Sequence, residues 1–131
     1  MGMSFTVAFN KKVKPFDEIG ADHMALGSAM DRLDKAAKKN RLPTLGEFHS
    51  VDPEEAAAML DMDTEELGLP PLQWFEPAKG LAVVRKLMGL LRENPKVIPK
   101  STEVLSDLEG VEQELLAASK QKAKFHFALL D

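Results

Sequence analysis

Met3-Ser4-Phe5-Thr6-Val7-Ala8-Phe9-Asn10 opens the chain, and Lys124-Phe125-His126-Phe127-Ala128-Leu129-Leu130 all but closes it. In both, bulky apolar residues recur at every second position, which puts Met3, Phe5, Val7 and Phe9 on one face of a strand and Phe125, Phe127 and Leu129 on one face of another. Four of the seven Phe residues stand in these two segments, so the aromatic core gathers at the termini. An isolated strand leaves its backbone groups unpaired, and the nearest partner for each segment is the other. The ends of the chain are therefore predicted to meet in one sheet.

Between them the apolar period lengthens to that of helices. Leu26, Met30, Leu33 and Ala37 make one stripe over a first helix, from about Asp22 to Lys39, with Lys38 and Lys39 suited to its negative end. Lys11, Lys12, Lys14 and Pro15 read as a solvated connection before it. Asp52, Pro53 and Glu55 form a helix start in which Asp52 caps and Pro53 takes the first helical position. That helix runs to about Asp61, and a further turn over Thr64 to Leu67 closes at Gly68. A third helix starts at Pro77 behind Glu76 and ends at Asn94-Pro95, with Leu81, Val84, Leu87, Met88 and Leu91 giving a broad buried face. Gly80 and Gly89 inside it each cost about 1 kcal/mol relative to Ala, so each is expected to permit a close approach. The fourth helix, capped by Ser101 or Thr102, carries Val104, Leu105, Leu108, Val111, Leu115 and Leu116 as far as Lys122. The order β-α-α-α-α-β describes an α+β fold: about four helices on a small sheet formed by the N- and C-terminal strands, in a single domain over residues 1–131. Two strands alone are marginal in water, so either the helices pack over one sheet face, or a third strand lies in a loop, with 42–48 and 67–75 the places expected for it, or the edges pair with a second subunit.

Composition narrows the function classes. A chain of 131 residues with 44% hydrophobic and 29% charged residues reads as globular, and without Cys it has no disulfide, thiolate ligand or Cys nucleophile. Net charge is −4, which disfavours nucleic-acid binding. No apolar run is long enough to cross a membrane and no secretory leader is evident, which points to a cytoplasmic protein. Gly2 and Thr6 fit a myristoylation pattern, but the same residues are better used as a strand. The charge is unevenly spread. Asp52, Glu54, Glu55, Asp61, Asp63, Glu65 and Glu66 share a run free of Lys and Arg, whereas Arg32 to Arg41 holds five basic groups against Asp34.

No motif carries chemistry. Asp61 to Glu66 lacks the Gly and the bidentate Glu of a calcium loop, and no metal site is expected. His23, His49 and His126 are too far apart in sequence for a two-His zinc pair on one helix. An ordinary surface or hydrogen-bonded role is favoured for each, with His126 on the polar, half-exposed face of its strand. There is no nucleophile elbow and no phosphate-binding Gly-rich loop. In Pro70-Pro71-Leu72-Gln73-Trp74-Phe75-Glu76-Pro77 the only Trp is expected to pack back on the third helix, with a partner-binding hot spot as the second reading.

The string Trp74-Phe75-Glu76-Pro77-Ala78-Lys79-Gly80-Leu81, two helices and a closing Phe125-His126-Phe127 strand together resemble small uncharacterised bacterial proteins over residues 74 to 131. The resemblance implies a bacterial cytosolic origin and carries over no activity, cofactor or catalytic residue. The leading functional expectation is a non-enzymatic interaction protein of inhibitor or immunity type. It would set Glu54, Glu55, Asp61, Asp63, Glu65, Glu66 and Trp74 against a basic protein partner; the plainer reading of the carboxylates is a pair of solvated helix ends. The alternative is a small enzyme or ligand-binding domain whose pocket contains His23, His49 and His126. A homodimer joined through sheet edges is compatible with either, and no cofactor is implied.

Overall fold

The computed structural model describes residues 4–130, with the side chain of Leu130 left out. Met1, Gly2, Met3 and Asp131 lie outside the described residues, and with them the start of the myristoylation pattern and the first apolar position of the opening strand. The terminal strands do pair. β1 (Ser4–Val13) runs antiparallel to β3 (Phe125–Leu130), with Phe5 opposite Leu129, Val7 opposite Phe127 and Phe9 opposite Phe125. This register puts the apolar members of both strands on one face, as the period-two pattern requires.

The third strand lies outside both segments where it was expected. β2 (Asp17–Ile19) follows β1 through a turn at Lys14-Pro15-Phe16, and the sheet order is β2-β1-β3. Lys11 and Lys12 belong to β1 and are exposed there, so the solvated connection is shorter than predicted. Gln121, just past the last helix, pins this turn by accepting the Lys14 N–H and donating to the Lys14 carbonyl (2.9 and 2.8 Å). The end of the second of these segments, at Phe75, and residues 49–50 just past the first instead blunt the outer edge of β3. Phe75 exchanges both backbone hydrogen bonds with Phe125, and the Ser50 N–H donates to the Phe127 carbonyl.

Five α-helices and a 3-10 turn connect the strands: α1 (Met24–Lys39), the turn at Leu45–Phe48, α2 (Pro53–Leu60), α3 (Thr64–Leu67), α4 (Pro77–Glu93) and α5 (Ser101–Lys120). α1 starts later than predicted because residues 20–23 continue beside β1, where Gly20 donates to Val7, and His23 and Phe5 exchange backbone hydrogen bonds. Leu26, Met30, Leu33 and Ala37 of α1 are buried, as are Leu81, Val84, Leu87, Met88 and Leu91 of α4 and Val104, Leu108, Val111 and Leu115 of α5. These stripes cover the Phe-rich sheet face. Phe48, Phe75, Phe125 and Phe127 stack there with centroids 4.9–6.1 Å apart.

Gly80 makes the predicted close approach, since a Cβ there would lie 2.4 Å from Cζ of Phe125, whereas Gly89 faces open space. The predicted cap of α5 is corrected: Lys100 holds the capping position, and the Ser101 hydroxyl donates to the Pro95 carbonyl. Asp34 of α1 accepts the Leu45 N–H (3.2 Å) and so fastens the 3-10 turn. Burial pushes its carboxyl pKa up, against hydrogen bonds from Leu45 and Gly46 and the charge of Lys38. Among the described residues no helix is long and apolar enough to cross a membrane.

Candidate functional site

α2 and α3 form a lobe held together locally, with little burial in the core. The Asp52 carboxylate accepts the Glu54 N–H (2.9 Å) and Pro53 opens the helix, as predicted. Asp61 in a left-handed conformation ends α2, and Gly68 (φ +66°) ends α3. α2 buries only Ala57, and α3 buries none of its residues. Its larger apolar side chains therefore face outward: Met59 is 87% and Leu60 59% exposed. Among the described residues, three of the eight large exposed hydrophobics, Met59, Leu60 and Met62, fall in this lobe, and Val51, Leu69 and Trp74 lie in the segments that flank it. Glu54, Glu55, Asp61, Asp63, Glu65 and Glu66 are exposed on the same lobe, and the ion pairs found among the described residues lie elsewhere. Scattered exposed hydrophobics are ordinary; three close together on one lobe that also carries six exposed carboxylates have the composition of an interaction surface.

Beside this lobe, between the segment that leads into α2 and the one that leaves α3, lies a cleft of about 270 Å³, lined by His49, Ser50, Val51, Leu69, Pro70, Pro71 and Gln73. Its two walls are tied at the base, where the Gln73 N–H donates to the Ser50 hydroxyl (3.0 Å), and both chain segments are anchored to β3. Phe75 takes the inward direction expected for the aromatic pair. Trp74, one residue earlier, points to the other sheet face and packs on His126 with centroids 4.9 Å apart. Packing of Trp74 on the first turn of α4 is thus corrected: alternation along this bridged segment sends neighbouring side chains to opposite faces. It also corrects His126, which is buried on the sheet face expected to be half exposed. Partial desolvation, with a smaller contribution from nearby His126, holds the His49 imidazole below its ordinary pKa.

His23 does not join the other two. It sits beside β1 on the edge away from β3, whereas His49 bridges β3 on its outer edge. Three strand spacings of about 4.8 Å separate those positions, roughly 14 Å, which is outside hydrogen-bond reach. The structure gives His23 different partners, both from α5. Its Nε2 bonds the Glu114 carboxylate, and its Nδ1 lies 3.9 Å from Asp107. Glu114, 1% exposed, also accepts the Ala21 N–H (3.1 Å), while Asp107 accepts the Leu26 N–H (2.9 Å) in the first turn of α1. Gly20 and Gly110 close over the pair, since a Cβ at Gly110 would be 2.8 Å from the His23 ring. This group is a clasp between α5 and the start of α1. Glu114 stands between Val111 and Leu115 in an apolar stripe, and that misplaced carboxylate was the one sequence signal for it.

Among the described residues no cluster of three or more His, Asp or Glu is arranged to hold a metal ion. No family model, curated protein or solved structure matches the chain.

Proposed function

We propose that the chain is a protein-interaction module of inhibitor or immunity type, using the α2–α3 lobe to meet a basic protein partner. The observation that carries this reading is the exposed apolar set Met59, Leu60 and Met62 on the same lobe as the exposed carboxylates Glu54, Glu55, Asp61, Asp63, Glu65 and Glu66. An apolar centre supplies affinity when it is desolvated, and a rim of one sign steers the opposite sign toward it. The rim acts over about 8 Å at physiological ionic strength, so its effect is on association rate and salt dependence more than on affinity.

The separation of His23 from His49 weighs against the alternative of an enzyme with a three-His pocket. The test is affinity capture from the native host with the wild-type chain, followed by kinetics on the partner so identified. The neutralised variant E54Q/E55Q/D63N/E65Q is expected to associate more slowly and with a flatter salt dependence. An unchanged rate and unchanged salt dependence would overturn the proposal.

A further inference from the structure

We infer that the cleft beside the lobe seats one aliphatic side chain of the partner, carried on a segment with Lys or Arg next to it on the lobe side. This rests on the interaction reading above and names what that surface recognises. Four observations lead to it.

The cleft is built before any partner arrives. Ser50 is tied to Gln73, and the two walls are fastened to Phe127 and Phe125 of β3 through Ser50 and Phe75. A site whose walls are already ordered loses less conformational freedom on binding. Its volume of about 270 Å³ then limits the occupant. That is room for one side chain with its adjoining backbone, at the lower edge of the about 300–1,000 Å³ of pockets that enclose a whole small molecule.

The chemistry of the walls narrows the choice further. Val51, Leu69, Pro70 and Pro71 offer apolar surface, which fits an aliphatic group. Pro70 and Pro71 have no N–H, so their backbone presents acceptors only and favours a segment that brings donors. Finally, both walls run straight into the acidic lobe. Val51 is followed by Asp52, Glu54 and Glu55, and Leu69 is preceded by Glu65 and Glu66. Residues of that segment that extend toward the lobe meet carboxylates, and cationic ones are selected there.

The probe is an acetylated, amidated pentapeptide with leucine at its centre and two lysines on either side. Two controls replace the leucine by glycine, or all four lysines by glutamate. Each is titrated into the full chain and followed by amide chemical shifts and by the fluorescence of Trp74, the single Trp. The leucine–lysine peptide is expected to give saturable shifts at Ser50, Val51, Leu69 and Gln73. Both controls should bind at least about tenfold more weakly, equivalent to about 1.4 kcal/mol. Leu69→Ser, at an exposed wall position, should remove the saturable response while leaving the rest of the spectrum in place. Shifts confined to the carboxylate-bearing residues, or equal for the leucine and glycine peptides, would overturn the inference, as would no response in the cleft. If the captured partner still depends on the lobe charges when the peptides fail, this inference falls and the interaction reading stands.

Discussion

Replacing Glu114 by Ala removes the partner of a buried imidazole and the acceptor of the Ala21 amide in one step. In the wild type the carboxylate binds His23 on one oxygen and the Ala21 N–H on the other, at 1% exposure. After substitution His23 retains only Asp107, 3.9 Å from Nδ1, and the Ala21 N–H loses its acceptor. Breaking a buried pair by deleting one member costs about 3–5 kcal/mol, because the other is left uncompensated. With a urea dependence of about 2 kcal/mol per M, the unfolding midpoint should fall by roughly 1.5–2.5 M.

A double-mutant cycle makes the attribution specific. His23→Ala and Glu114→Ala together should cost less than the sum of the single variants, by about 0.5–3 kcal/mol, since each single leaves the other group stranded. Glu114→Gln keeps the volume but offers one acceptor oxygen to two donors, and should fall between wild type and Ala. A Glu114→Ala midpoint within about 0.5 M of wild type, or strict additivity with His23→Ala, would refute the clasp.

Other expectations follow from the same packing. Gly80→Ala places a methyl 2.4 Å from the ring of Phe125, which Phe48, Phe75 and Phe127 hold in place, whereas Gly89→Ala meets nothing within 4 Å. Overpacking of about 1–3 kcal/mol should outweigh the helix gain at Gly80, while Gly89→Ala should stabilise by about 1 kcal/mol; urea unfolding will show whether the signs differ. Because the Asp34 pKa is raised on folding, the native state holds the proton more tightly than the unfolded chain, and its contribution to stability falls as pH rises above 3.8. The stability of Asp34→Asn relative to wild type should therefore improve from pH 4 to pH 7, and a difference independent of pH would contradict this. The lowered His49 pKa works at the other end: protons bind the unfolded chain first as pH drops below about 6.5, so His49→Gln should soften the loss of stability between pH 7 and 5.5.

The helices and terminal strands were legible because their determinants are local. A period of two around Phe5 and Phe125, the Asp52-Pro53 start, Pro77, Gly68 and Asn94-Pro95 each act within a few residues. β2 was not legible. Asp17-Glu18-Ile19 is too short to show a period, and it becomes a strand only because the turn at Lys14-Pro15 lays it beside β1. The direction of Trp74 was hidden for a related reason, since the bridge between Phe75 and Phe125 sets it, and that pairing joins residues fifty positions apart. Charge on the lobe could be read from composition. Exposure of Met59 and Leu60 could not, because an apolar residue on a short helix reads as core until the helix is seen to bury only Ala57. The partners of His23 were likewise distant, although Glu114 in the apolar stripe of α5 marks the position where a buried cation or donor is needed.

The most direct test of the lobe as a recognition surface is the affinity of the captured partner for Met59→Asp/Leu60→Asp. Both side chains are exposed, so the variant should keep its fold, with stability within about 0.5 kcal/mol per site, and circular dichroism and urea unfolding will establish that first. Binding should weaken at least a hundredfold if Met59 and Leu60 are the apolar centre of the proposed interface, since charges that must be desolvated then replace them, at about 1.4 kcal/mol for each factor of ten. Wild-type affinity in a folded Met59→Asp/Leu60→Asp variant would contradict it.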